Sequence, residues 1–291
     1  MSERKPRFRR VHVPFEITER DIEIARHVAR HRFLTSKHFQ QLVKGGPQGI
    51  SRRLQTLFHA GILDRPRAQI DYFHRGGSRK MVYALGNRGA KLLCERGEKS
   101  SIDWSVKNRN ATKLFIEHTL RIADFMVGLE VACRELNLEL NHFTQRLQWR
   151  VWLNEAGQTF SQGVIPDAAF SLALPGKEPV HYCVEVDRAT MPVRRSSIHL
   201  TSVQRKLSAY HATWQQRILA ERFACKRFRV LTLTTSPARV QHLQSAAREL
   251  PSGHGLFLFT DFARFDQSIN VLLLPWTAAA DSSPQSLLTA Q

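Results

Sequence analysis

The sequence predicts an α+β protein of two domains, and three observations carry that reading. Helical periodicity dominates residues 18–60 and then gives way to short strand-like runs around a Gly-Gly pair. Beyond residue 110 a long amphipathic helix leads into a series of strands, closed by a helix-strand-helix-strand unit. The charge divides at the same place. Residues 1–110 hold 24 Lys+Arg against 10 Asp+Glu, whereas residues 111–291 hold 19 against 15, within a formal net charge of +18. The basic excess therefore belongs to the first part, which is expected to hold a polyanion, with nucleic acid first. At 291 residues and 42% hydrophobic content, the chain has enough apolar material for two cores without disulfide staples.

Residues 1–17 read as a basic arm. The first helix is Asp21–His31, with Ile22, Ala25, Val28 and Ala29 at helical spacing. Thr18 is placed to cap it with Asp21 three residues on. Thr35-Ser36 caps a second helix that runs through Leu42. Gly45-Gly46-Pro47 breaks the chain, and a third helix covers Gln48–Ala60. There Ile50, Leu54, Leu57 and Phe58 face inward, while Ser51, Arg52, Arg53 and Gln55 face outward. Gly61 stands at the stop position that favours glycine. Two strand-like runs, Gln69–Phe73 and Lys80–Leu85, flank a basic tip with Arg75, Gly76-Gly77 and Arg79. Three helices followed by such a hairpin make a winged helix-turn-helix over residues 18–97, completed by a helix at Asn87–Arg96. In that plan the third helix enters the major groove of DNA. Ser51, Arg52, Arg53 and Gln55 would then read base edges, and Arg75, Arg79 and Lys80 would hold phosphates.

The polar stretch 98–110 reads as a linker, and the second domain as 111–276. A helix at Ala111–Leu136 opens it, with Leu114, Phe115, Leu120, Ile122, Phe125 and Leu129 along one side. Strands follow at Glu139–Thr144, Trp149–Leu153, Ile165–Leu174 and Val180–Asp187. A helix covers Leu200–Phe223, then a strand Phe228–Thr234 and a helix Pro237–Leu250 capped by Ser236. Strands Leu256–Thr260 and Val271–Leu274 end the fold. The Ala-, Ser- and Pro-rich tail 277–291 reads as disordered.

Several classes are excluded. No apolar run approaches the roughly 18–20 residues of a membrane helix. Met1–Arg10 is basic without an apolar core, so no secretory signal is expected. Cys94, Cys133, Cys183 and Cys225 are scattered, as befits reduced thiols in the cytoplasm. Neither a GxxxxGK[ST] loop nor a GxGxxG after a strand is present. There is no His-x-His pair. His27 and His31 stand one helical turn apart and read as surface histidines rather than metal ligands, because no third ligand is in view.

The chemistry-bearing stretch is Pro166-Asp167, the turn Pro175–Pro179, and Cys183-Val184-Glu185-Val186-Asp187. Suppose the flanking strands form an antiparallel hairpin with Leu174 opposite Val180. Asp167 then faces Asp187, Ala169 faces Glu185, and the three carboxylates share one face. Carboxylates so crowded repel one another, and a hard divalent cation such as Mg²⁺ or Mn²⁺ relieves the repulsion. The following helix offers Arg205 and Lys206 as cations, with Tyr210 one turn beyond Lys206. Spacing alone leaves the ordinary alternative open, in which acidic residues at strand ends simply face water.

The chain also resembles a known family. Arg20-Asp21, Arg32-Phe33-Leu34-Thr35, Arg53-Leu54, Ala60-Gly61-Ile62-Leu63-Asp64-Arg65, Tyr83-Ala84-Leu85 and Gly89-Ala90 look like the winged-helix part of the replication-relaxation family. Glu117-His118-Thr119-Leu120, Pro166-Asp167, Glu185-Val186-Asp187-Arg188-Ala189-Thr190 and Lys206-Leu207-Ser208-Ala209-Tyr210 look like its second part. The resemblance covers about residues 18–235. It implies a winged helix joined to a restriction-endonuclease-like domain with a PD-(D/E)xK core, in a family that includes the C-type mobilisation relaxases of conjugative plasmids. Carried over, Asp167 and Glu185 would bind the metal. Asp187 stands where the pattern has lysine, so Lys206 would replace that lysine from the helix. Glu117 or Glu130 would add an acidic ligand, and Tyr210 or water would be the nucleophile.

The function expected is a sequence-specific DNA-binding protein of a plasmid or integrative element, nicking DNA with Mg²⁺ or Mn²⁺ during mobilisation or replication. The catalytic set would be Asp167, Glu185, Asp187, Lys206 and Tyr210, the first three of these binding metal. The alternative is a non-catalytic transcriptional or replication regulator whose nuclease-like domain serves dimerisation or partner binding. A protein-interaction adaptor fits the charge least. Partners expected are double-stranded DNA, other mobilisation or replication proteins and a second copy of the chain, with no membrane. The location expected is the bacterial cytoplasm, at the nucleoid or a plasmid.

Overall fold

Capping and apolar spacing set the first helices. α1 (Glu19–His31) opens with the backbone N–H and hydroxyl of Thr18 donating to Asp21 Oδ2 at 2.8 and 2.7 Å. It buries Ile22, Ile24, Ala25 and Val28. After β1 (Leu34–Thr35), Thr35 caps α2 (Ser36–Leu42) by accepting from the His38 backbone. α3 (Pro47–His59) starts on a proline at its first position and buries Ile50, Leu54, Leu57 and Phe58. Gly61 ends it with φ +79°, a conformation that strains any residue with a Cβ. The backbone there lies so close to Gly86 that a Cβ on Gly86 would stand 2.3 Å from the Gly61 carbonyl. β2 (Leu63–Asp64) and β1 both pair antiparallel with β3 (Val82–Leu85), giving a sheet of order β1-β3-β2. α4 (Asn87–Glu95) follows.

The computed structural model describes residues 9–69, 80–98, 103–143, 147–155, 157–193, 202–281 and 283–289. The chain divides into two compact units, Met1–Val127 and Gly128–Gln291. The expected strand Gln69–Phe73 and the basic tip largely lie outside the described residues. Gln69 itself closes a 3-10 turn, Arg67–Gln69, and its amide exchanges two hydrogen bonds with the Val82 backbone at 2.8 and 3.0 Å. The polar stretch read as a linker carries a helix, α5 (Trp104–Arg109), capped by Asp103. Arg32 holds it to the first unit by lying over the Trp104 ring at 5.0 Å and donating to Asn108 Oδ1. His27 and His31 are not surface residues: the His27 side chain is largely covered and His31 is buried.

α6 (Lys113–Glu135) contains the boundary between the units. The second unit continues with β4 (Glu139–His142), β5 (Trp149–Glu155), β6 (Gln158–Val164), β7 (Ala168–Ala173) and β8 (Val180–Val186). Then come α7 (Val203–Gln215), α8 (Ile218–Phe223), β9 (Phe228–Thr234), α9 (Pro237–Arg248), β10 (Phe257–Asp261) and α10 (Phe262–Gln267). β11 (Trp276–Ala278) and β12 (Pro284–Gln285) end the fold. Seven strands form a mixed sheet of order β12-β11-β10-β9-β8-β7-β4, parallel from β8 through β10 and antiparallel elsewhere. β5 and β6 pair separately. One core joins Cys183, Val230, Phe257 and Phe259 of the sheet to Leu207 and Tyr210 of α7 and Val240 and Leu243 of α9.

Four expectations change here. The strand β6 was not read, because its polar residues hide its alternation. The helix expected over Leu200–Phe223 is two helices, since Arg217 between them takes a left-handed φ of +52°. Val271–Leu274 is not a strand; Val271–Leu273 forms a 3-10 turn. The tail expected to be disordered supplies β11 and β12, and Leu287 is fully buried. Edge strands this short owe their order to a neighbour, here β10, that local composition does not reveal. The architecture is thus α+β, a helical N-terminal region and a C-terminal mixed sheet, consistent in general terms with a winged-helix and nuclease-like arrangement.

Candidate active site

The β7–β8 hairpin differs in register from the sequence expectation. Leu172, not Leu174, stands opposite Val180, and Ala169 faces Cys183. The connection is longer because Leu174 and Lys177 close a turn of their own, with Lys177 N–H donating to the Leu174 carbonyl at 3.0 Å. A displacement of two residues keeps every side chain on its face. It brings Asp167 beside Glu185 rather than Asp187. Asp167 N–H donates to the Val184 carbonyl at 3.0 Å, and Asp167 Oδ2 accepts from Val186 N–H at 2.9 Å. The aspartate is thus fixed by backbone at the open end of the hairpin, and it remains half-buried.

Glu185 is 5% exposed. α7 covers it with two donors one turn apart: Lys206 Nζ on Oε2 and the Tyr210 hydroxyl on Oε1. Burial raises the Glu185 pKa to about 7; Lys206 opposes this and the nearby charge of Asp167 adds to it. Burial depresses the Lys206 ammonium, but Glu185 and Asp167 more than offset that and hold its pKa above the ordinary value. The Lys206 side chain is 41% exposed, so its charge reaches solvent as well as Glu185. Tyr210 is different. It is 1% exposed, burial and the Glu185 charge drive its pKa well above normal, and the ring packs edge-on against Trp149 at 6.1 Å. A phenol so held clamps the Glu185 carboxylate in place.

Asp187 is not aimed into this pair. Its Oδ2 accepts from the Thr234 hydroxyl at 2.7 Å and from Arg239 Nε at 2.8 Å. Arg239 also donates to the Met191 carbonyl at 2.6 Å, tying the segment after β8 to the start of α9. Asp187 is therefore matched by an arginine, while its charge still reaches Lys206. Sequence reading missed Arg239 because it lies 52 positions from Asp187. The Arg205 guanidinium lies over the Phe160 ring at 5.2 Å. Glu130 faces His142 Nε2 at 3.2 Å. Glu117 is half-buried in the first unit.

In the first unit, α3 leaves Ser51, Arg52 and Gln55 exposed, although the Ser51 hydroxyl donates to the Pro47 carbonyl at 2.9 Å. Lys80 is exposed just before β3, and Arg75 and Arg79 lie outside the described residues. Arg53 departs from the expected outward position. Its Nε donates to Asp21 Oδ1 at 2.7 Å, its Nη2 to Asp21 Oδ2 and, at 2.7 Å, to the Glu16 carbonyl, and its guanidinium lies 5.1 Å from the Phe15 ring. With Nε and Nη2 so used, it fastens α3 to α1.

Fold and site together define an α+β protein with a basic helical first unit and a sheet-borne carboxylate and lysine cluster in the second. Its family is the replication-relaxation family, to which the chain belongs: the family model matches residues 26–224, more than half its length. The matched span takes in α3, Asp167, Glu185 and Lys206. No curated protein and no solved structure matches the chain. Membership supports a DNA-mobilisation or nuclease-like role at the general level. Among the described residues no helix is long and apolar enough to cross a membrane.

Proposed function

We propose that the protein is a sequence-specific DNA-binding protein of a mobile element that nicks DNA in a metal-dependent reaction. The observation that carries this reading is the juxtaposition of Asp167 and Glu185 at the open end of the β7–β8 hairpin, with Lys206 on Glu185. The donors are all carboxylate oxygens, which suits Mg²⁺ or Mn²⁺ rather than a softer ion. When bound, such an ion supplies Lewis acidity and a more acidic water. In this reading Asp167 and Glu185 hold the ion, Tyr210 and Lys206 fix the Glu185 rotamer, and the exposed share of the Lys206 charge meets the scissile phosphate. The order α1-β1-α2-α3-β2-β3 supports a winged helix that selects the site through Ser51, Arg52 and Gln55, with Lys80, Arg75 and Arg79 on phosphates.

A second reading also has a specific observation behind it. Both oxygens of Glu185 already have protein donors, as a centre that has become purely structural would. The protein would then be a winged-helix regulator whose second unit binds a partner or a second copy. One assay separates the two. Purified protein is incubated with supercoiled plasmid carrying its cognate region, with Mg²⁺ or Mn²⁺. Nicking that needs the metal and disappears in Asp167→Ala, with DNA binding retained, is the expected result. Specific binding with no cleavage under either metal would overturn the nickase and leave the regulator.

A further inference from the structure

The β5–β6 hairpin has one face in the core and one in solvent. Trp149, Val151 and Leu153 alternate into the core, while Arg150, Trp152 and Asn154 stand on the other side and are exposed. The register sets Gly163 opposite Arg150, Ser161 opposite Trp152 and Thr159 opposite Asn154. Residues directly opposed share a face. Among the described residues that open face therefore carries an indole, a guanidinium and small polar groups. Trp152 is 64% exposed. The face thus sets an exposed aromatic ring beside a guanidinium, the pair of groups on which a base can stack and a phosphate be held.

The hairpin is also tied down by side-chain hydrogen bonds. The Gln216 side chain bonds both backbone groups of Trp152, accepting from its N–H at 3.4 Å and donating to its carbonyl at 2.9 Å. The Trp149 indole donates to Thr213 Oγ1 at 2.7 Å. Arg150 Nε donates to Ser161 Oγ at 2.8 Å, which draws its guanidinium across the strand pair toward the residue opposite Trp152. The hairpin is thus fastened to α7, the helix that carries Lys206 and Tyr210. Gln216, at the C-terminal cap of α7, lies ten positions beyond Lys206, about 15 Å along the axis. That distance matches a few nucleotides of extended single strand.

We propose that the Arg150–Trp152 face is a binding platform for single-stranded DNA, on which an unpaired base stacks on the Trp152 indole and Arg150 holds an adjacent phosphate. A duplex keeps its base faces covered by neighbouring pairs, so a projecting ring beside an arginine favours the unpaired strand. The platform would lead such a strand along α7 toward the Asp167–Glu185 centre, but binding itself requires nothing of that centre.

The test is anisotropy of a labelled oligo-dT and of a labelled duplex, measured in EDTA so that cleavage plays no part. Trp152→Ala is expected to weaken oligo-dT binding about tenfold. Trp152→Phe should keep most of the affinity, and neither variant should alter duplex binding. Arg150→Ala should lower the salt slope for oligo-dT by about 0.7. Unchanged oligo-dT binding in Trp152→Ala would overturn the proposal, as would an equal loss for duplex. A shift from dimer to monomer in sedimentation, with oligo-dT binding unaltered, would also overturn it by assigning the face to a second copy. Because the readout is metal-free, a protein that never nicks DNA can still pass this test, and an active nickase can fail it.

Discussion

Each unit contains a buried carboxylate held by a cation from a helix, and the two are unlike. Asp21 is fully buried, yet Arg53 and Thr18 together more than offset the penalty of burial and hold its pKa below the ordinary value. Glu185 is almost as deeply buried and has Lys206 and Tyr210 as donors, yet burial wins and raises its pKa to about 7. The difference lies in what else is near. Asp21 receives a two-pronged arginine and two further hydrogen bonds. Glu185 faces a lysine shared with solvent and stands beside Asp167. A carboxylate with its charge fully matched is a fastening. One left under-compensated beside another acid stores unfavourable charge, which is the condition under which an added cation gains most.

The largest expected effect comes from removing the matched cation. Arg53→Ala leaves a buried, ionised Asp21 and should cost about 3–5 kcal/mol of stability. Denaturant melts at neutral pH measure it directly. Adding Asp21→Asn to Arg53→Ala should recover part of the loss, because the uncompensated charge is gone. The sign with pH follows from the lowered Asp21 pKa: its contribution is present above the unfolded value near 3.8 and is lost as pH falls through the folded value. If Arg53→Ala melted like wild type while losing DNA binding, Arg53 would belong to the reading surface after all.

Glu185 should behave in the opposite sense. Its folded pKa, about 7, lies above the ordinary 4.5, so folding favours the protonated form. The stability linked to this group is complete below about pH 4.5 and is lost as pH rises through 7, to a limit of about 3 kcal/mol. Glu185→Gln removes the charge and keeps the shape. It should raise the melting temperature at pH 8, with the gain shrinking toward pH 5, while abolishing metal-dependent nicking. A variant that is less stable at pH 8 would mean that Lys206 and Tyr210 match Glu185 as fully as Arg53 and Thr18 match Asp21, and the contrast would collapse.

This contrast was only partly legible in the sequence. The capping pair Thr18–Asp21 and the four apolar positions of α3 were readable because cap and period are local signals. The strand Phe228–Thr234 was readable from its β-branched run. Asp167 and Glu185 come together despite the wrong register, since a displacement of two residues preserves the face. What failed to show is long-range. Arg53 has an outward helical position, but its stem reaches back to an aspartate 32 positions earlier. The Asp187–Arg239 pair spans α7, α8 and β9, and no motif links its ends. Periodicity places a side chain on a face; it does not say what another element brings to meet it.

The smallest expected effects concern the residues that α3 leaves exposed, and they sharpen the comparison from the other side. Arg52 neighbours Arg53 in sequence but is exposed, so Arg52→Ala should leave the melting temperature almost unchanged. If Arg52 makes a bidentate base contact, the same change should weaken cognate binding by about 1–3 kcal/mol and random-sequence binding far less. Lys80→Ala should instead weaken all duplexes alike and lower the salt slope by about 1. Binding isotherms on cognate and scrambled duplexes at several salt concentrations, run beside the melts, place each basic residue in one of three roles. Arg53 would act through stability, Arg52 through sequence and Lys80 through charge. Equal losses on cognate and scrambled DNA for Arg52→Ala would show that α3 grips phosphate and that the bases are read by another element.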